Sequence, residues 1–139
     1  PTFVALLGSH LDVTVLLDSR KEGHQRLSRL VKNGYLAKKR IILIGDVLGK
    51  ATGDIEDLFE VQEYLELYNK AFSSSVAQSQ LNGSDAIVSR LARHMKVERF
   101  DHGRPADVLL RDREEVLQNL SEATFLRFEK LFETINKTI

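Results

Sequence analysis

The stretch Val13 to Gly23, VTVLLDSRKEG, limits what this chain can fold into more than any other. An apolar run containing two valines leads straight into a carboxylate, Asp18, and then a polar turn, a glycine and a helical pattern follow. That order predicts a buried strand, an acid at its carboxyl end and a turn into a crossover helix. A second run, Arg40 to Asp46 (RIILIGD), repeats the pattern after the helix. Strands joined in this way pair in parallel, and the carboxyl ends of such strands are where ligands and chemistry gather in open α/β sheets.

The expected fold is therefore α/β: a short parallel sheet containing Val13–Leu17 and Ile41–Ile44, flanked by helices, with a helical C-terminal half. The α/β core is expected over residues 1–72, a loop or linker over 73–84, and a helical part over 85–139 packed on the core. The helices read from apolar spacing. Phe3 to Ser9 predicts a short helix. Gly23 to Leu36 places Leu27, Leu30 and Val31 on one face, and Asn33-Gly34 supplies a left-handed residue to close it. Asp46 to Gly53 has no apolar period and reads as a loop. A helix from Asp57 to Phe72 carries Leu58, Val61, Leu65 and Tyr68. Serines, glutamines and asparagines mark 73–85 as the most loop-like stretch. Ser84 or Asp85 is positioned to cap a helix bearing Ile87, Val88 and Leu91. Pro105 suits the first turn of a short helix, 105–110. The last helix, from Ser121, carries Phe125, Phe128, Leu131, Phe132 and Ile135, all read as core.

Charge and composition exclude more than they identify. Twenty basic and twenty acidic residues cancel among 139, and cysteine is absent. No global basic field advertises nucleic acid, although a local patch would suffice to bind it. Neither a disulfide framework nor a thiolate metal site is possible. No apolar run approaches the roughly 20 residues of a membrane-spanning helix, and nothing resembles a signal peptide, so a cytoplasmic protein without membrane contact is expected. The chain opens on Pro1-Thr2-Phe3 inside an apolar pattern, as an excised C-terminal part of a longer protein would.

The carboxylates carry the chemistry. An ionised acid after a buried strand loses hydration unless a metal, a cation or amide donors meet it, which singles out Asp18. Glu22 lies four residues on. Asp54, Glu56 and Asp57 cluster before a helix, where they serve equally as first-turn acids favoured by the helix dipole. Asp46 serves equally as a turn residue. Several carboxylates at one sheet edge suit a hard divalent cation, Mg²⁺ or Mn²⁺. In the stretch Phe100 to Pro105, FDHGRP, His102 and Arg104 are placed to meet a phosphate or to form an ordinary surface turn. His10, His24 and His94 show no ligand spacing.

With these segments placed, the chain resembles the C-terminal TOPRIM domain of the overcoming-lysogenization-defect (OLD) nucleases, which join an ABC-type ATPase to a metal-dependent nuclease. The resemblance rests on VTVLLDSRKEG, GDIEDLFEVQEYLELYNKAF and RFDHGRPADVLL, which together with the closing helices cover most of the chain. It implies a TOPRIM or Rossmann-like core that nicks or cleaves DNA by two-metal catalysis. It also implies that ATP acts only through a separate N-terminal ATPase domain of the same polypeptide. Asp18 matches the first acid of the family's Asp-x-Asp, Glu56 and Asp57 the acids of the later loop, and Arg104 the basic residue. Asp18, Glu22, Asp54, Glu56 and Asp57 are thus the candidate metal ligands, and Asp18, Glu56 and Arg104 the candidate catalytic residues.

Two departures stand out. Arg20 occupies the position of the second acid, and the glutamate of the family's first strand would lie upstream of Phe3. A degenerate, non-catalytic TOPRIM module for DNA binding or assembly is the alternative, and a phosphoacceptor receiver is a third reading that lacks its Lys and Thr or Ser partners. This chain alone is expected to cleave little or no DNA, and an open sheet edge makes a homodimer an expected state.

Overall fold

The computed structural model of this protein describes residues 13–20 and 24–138. The Phe3–Ser9 helix, His10 and Glu22 lie outside the described residues. The fold is mixed α/β, with a two-stranded parallel sheet flanked by helices. By its internal contacts the chain forms two compact units, residues 1–55 with 128–139, and residues 56–127.

In the first unit, β1 (Val15–Leu17) pairs with β2 (Ile41–Leu43) in the register Val15 to Ile41, Leu16 to Ile42 and Leu17 to Leu43. Both strands are shorter than the apolar runs that announce them. Val13 and Thr14 precede β1, and Ile44 already belongs to a helix. The crossover helix α1 (Gln25–Lys32) ends well before Leu36 and is closed by Asn33 and by Gly34 at φ +76°. Leu27 is its buried residue, while Arg26, Arg29 and Lys32 face solvent.

A second short helix, α2 (Ile44–Leu48), stands where a loop is expected. It follows β2 without a connecting residue, buries Ile44 and Val47, and closes on Gly49 at φ +67°. Gly45 is required there: its backbone N–H donates to Ser19 Oγ at 2.7 Å, and an added Cβ would lie 2.5 Å from the Lys50 carbonyl oxygen. Ser19 and Gly53 form an antiparallel bridge just beyond β1. Residues 128–139 contribute Leu131, which is 3% exposed, and Lys130, whose Nζ donates to the Val47 carbonyl at 2.5 Å.

The second unit is helical. Its central helix α3 (Val61–Phe72) follows a 3₁₀ turn over Ile55–Leu58, so the helix begins later than Asp57. Tyr64, Leu65, Leu67 and Tyr68 of α3 are all at most 3% exposed, and each such side chain contributes roughly 1.5–3 kcal/mol by burial. They pack with Ile87, Val88 and Leu91 of α4 (Ile87–Met95) and with Val108 of α5 (Gly103–Arg111). Helix α5 starts two residues before Pro105. Helix α6 (Arg113–Asn119) follows, and then α7 (Glu122–Asn136), whose residues from 128 onward count with the first unit.

The polar stretch after α3 is not a free linker. Val76 and Leu81 enter the same core as α3, and Asn69 organises the turn from α3 to Val76. Its Oδ1 accepts from the Val76 amide and the Ser74 hydroxyl, both at 2.9 Å, and its Nδ2 donates to the Val76 carbonyl at 3.0 Å. On α7, Phe125 and Phe132 are 46% and 58% exposed, so neither is the core residue its spacing suggested.

Candidate functional site

In the first unit, Asp18 follows β1 directly, at the carboxyl end of the parallel pair. Its side chain is half-buried, and Oδ1 accepts from the Ile55 amide at 3.3 Å. The Asp18 carbonyl accepts from Nε2 of His24 at 2.7 Å, so the imidazole carries its proton on Nε2 or on both nitrogens. His24 is thereby tied to the turn that leaves β1, a role its position in the sequence did not disclose. Arg20, in place of a second acid, is exposed. Asp46 is exposed in the first turn of α2, and Asp54 is half-buried.

Beside this strand end lies a cleft of about 450 Å³. Arg20, Lys38 and Lys50 line it, with Asp46 as the acid among them. Its apolar wall comes from α1 and β2.

In the second unit, Glu56 is 8% exposed, an unusual burial for a carboxylate. Nδ1 of His102 donates to Glu56 Oε1 at 2.6 Å, which gives the buried oxygen its partner and leaves Nε2 on the far side of the ring. The Phe100 ring meets the imidazole edge-on at 5.2 Å. Arg104 is exposed, with its guanidinium carbon 4.5 Å from the centre of the Phe72 ring, a cation–π contact. Glu56, His102 and Arg104 therefore belong to one unit, together with the aromatic residues that fix them.

Asp57 does something the sequence did not announce. Its Oδ1 accepts from the Ile87 amide at 2.9 Å, so it satisfies an N-terminal donor of α4. The residues expected to cap that helix do not: Ala86 is the cap, and Asp85 instead pairs with Arg93 at 2.6 Å. That pairing, led by the Arg93 hydrogen bond, holds the Asp85 carboxyl below the usual carboxylate range.

All-oxygen donors of this kind suit Mg²⁺ or Mn²⁺. Among the described residues, however, no three His, Asp or Glu side chains are gathered to hold a metal ion. The described carboxylates do not by themselves make up a metal cage. No family model matches the chain, and no curated protein or solved structure is significantly similar to it.

Proposed function

We propose that this chain is the TOPRIM-like part of a metal-dependent DNA nuclease of the OLD type, which hydrolyses phosphodiesters within a longer ATPase-bearing polypeptide. The observation that carries the reading is Asp18, a carboxylate at the carboxyl end of a parallel strand pair, the edge where such sheets hold their ligands. Mg²⁺ or Mn²⁺ would supply charge neutralisation and an activated water. Asp18, Glu56 and Asp57 are the proposed ligands, with Asp54 and Glu22 as further candidates, and an acid from elsewhere in the polypeptide is needed to complete the set. Arg104 balances charge on the phosphate.

The second reading is a non-catalytic module that binds DNA or organises assembly. Three observations favour it: Arg20 is exposed where an acid would be needed, Glu56 is bonded to His102, and Asp57 caps α4.

Plasmid cleavage by the full-length protein with Mg²⁺ or Mn²⁺ separates the two. The nuclease reading expects cleavage that Asp18→Ala and Glu56→Ala abolish, and little or none from this chain alone. Cleavage that survives Glu56→Ala would overturn it. A full-length protein that binds DNA without cutting it with either metal would leave the module reading in its place.

A further inference from the structure

We infer that the cleft running along α1 and β2 to the carboxyl end of the strand pair is a binding site for a nucleoside monophosphate, a ligand carrying one phosphate monoester and one flat ring system. The inference does not depend on the nuclease reading, because all of its residues lie in the first unit and none is a proposed metal ligand.

The size of the cleft is the first support. About 450 Å³ falls within the range of roughly 300–1,000 Å³ typical of small-molecule sites. Its charge is the second. Arg20 comes from the turn after β1, Lys38 from the 3₁₀ turn before β2, and Lys50 from the residues after α2. Cations brought together from three separate segments are not the solvated stripe of one helix. Among the described lining residues Asp46 is the one acid against these three cations, an excess of two positive charges. A phosphate monoester carries about −1.5 to −2 at neutral pH, whereas a phosphodiester carries about −1, so the lining matches a monophosphate better than a nucleic-acid backbone.

The remaining lining decides what accompanies the phosphate. Leu27 and Val31 are one helical turn apart on α1, and Ile41 and Leu43 share a face of β2 because strand side chains alternate. They form an apolar slot between helix and strand, suited to a flat ring. Ser28 and His24 also line the cleft and offer hydrogen-bonding groups to a sugar or base. A simple anion would leave this apolar wall unused.

Calorimetric titration of the whole chain tests the inference, with adenosine and cytidine monophosphates, the corresponding nucleosides and inorganic phosphate as probes. One-to-one binding of a monophosphate is expected, with its nucleoside and inorganic phosphate weaker by about tenfold or more. Lys50→Ala and Arg20→Ala should each weaken it by about tenfold, the loss of one charge-assisted contact. Lys39→Ala, which removes an exposed charge outside the cleft, should not. Amide resonances of Ser28, Leu43 and Ala51 should shift on titration. Absence of binding, equal binding of inorganic phosphate, tighter binding of a single-stranded oligonucleotide, or a stably folded Lys50→Ala that binds like the parent would each overturn the inference.

Discussion

The Asp57 carboxylate accepts the backbone N–H of Ile87 at 2.9 Å, across thirty residues of sequence, and so closes the first turn of α4 from outside the helix. Removing such a cap costs about 0.5–2 kcal/mol. Asp57→Ala is expected to lower the melting temperature accordingly, whereas Asp57→Asn, which keeps an acceptor oxygen, should cost less. The pair also separates two roles. If Asp57 binds metal in the full-length protein, Asp57→Asn will lose cleavage while keeping most of its stability; retained cleavage would confine Asp57 to capping.

Glu63 makes the second unit sensitive to acid. Burial opposes its ionisation, but hydrogen bonds from the Thr124 hydroxyl, the Ser121 amide and hydroxyl, and the Glu60 amide outweigh it and hold the carboxyl below its ordinary value. The Ser121 amide lies 2.5 Å from Oε1, and Thr124 is fully buried. A folded-state value below the unfolded one means the folded chain binds the proton less tightly. The resulting stability is fully present above the ordinary glutamate value of about 4.3 and is lost as pH falls through the lowered folded value. Chemical denaturation between pH 7 and pH 3 should show Glu63→Gln losing less stability over that interval than the parent. Parallel acid profiles would show that the hydrogen bonds do not favour the ionised form.

On α7, adjacent residues should behave oppositely. Leu131 is 3% exposed and Phe132 is 58% exposed. Leu131→Ala should cost about 2–5 kcal/mol through lost burial and a residual cavity. Phe132→Ala should stay within about 0.5 kcal/mol, as exposed substitutions do. Comparable losses from both, measured by denaturant titration, would mean that Phe132 is covered in solution.

Those two residues also show why some of the fold was legible and some was not. β1 and β2 announced themselves because each is a short apolar run ending at turn residues, and Gly34 marked the end of α1 because a left-handed residue there favours glycine. In α7 the apolar residues 125, 126, 128, 131, 132 and 135 spread over more than one helical face, so periodicity alone could not rank Leu131 above Phe132. Helix α2 spans five residues, too few for any period to emerge. At the candidate site, the position of Asp18 followed from the strand before it. The His102 bond to Glu56 and the Asp57 cap on α4 join segments 46 and 30 residues apart, and no local pattern encodes such partners. The same holds for the basic cleft, whose cations looked like ordinary surface residues until the strand pair brought their segments together.

Gly45 links the stability of the first unit to that cleft. A Cβ there would sit 2.5 Å from the Lys50 carbonyl oxygen and 2.6 Å from Ser19 Oγ. The serine hydroxyl can rotate away, but Ser19 Cβ, at 2.8 Å, and the backbone carbonyl cannot; Lys50 is held by its own N–H, which donates to the Gly45 carbonyl at 2.8 Å. Gly45→Ala must therefore displace the end of α2 from the strand, at a cost of about 1–3 kcal/mol. Adding Ser19→Ala should not restore the loss, since the backbone clash remains. Because Arg20 and Lys50 flank the two displaced segments, monophosphate binding should fall in Gly45→Ala even at temperatures where the protein stays folded. A Gly45→Ala protein with the parent's melting temperature, or one rescued by Ser19→Ala, would show that the close approach of these two segments is not fixed in solution.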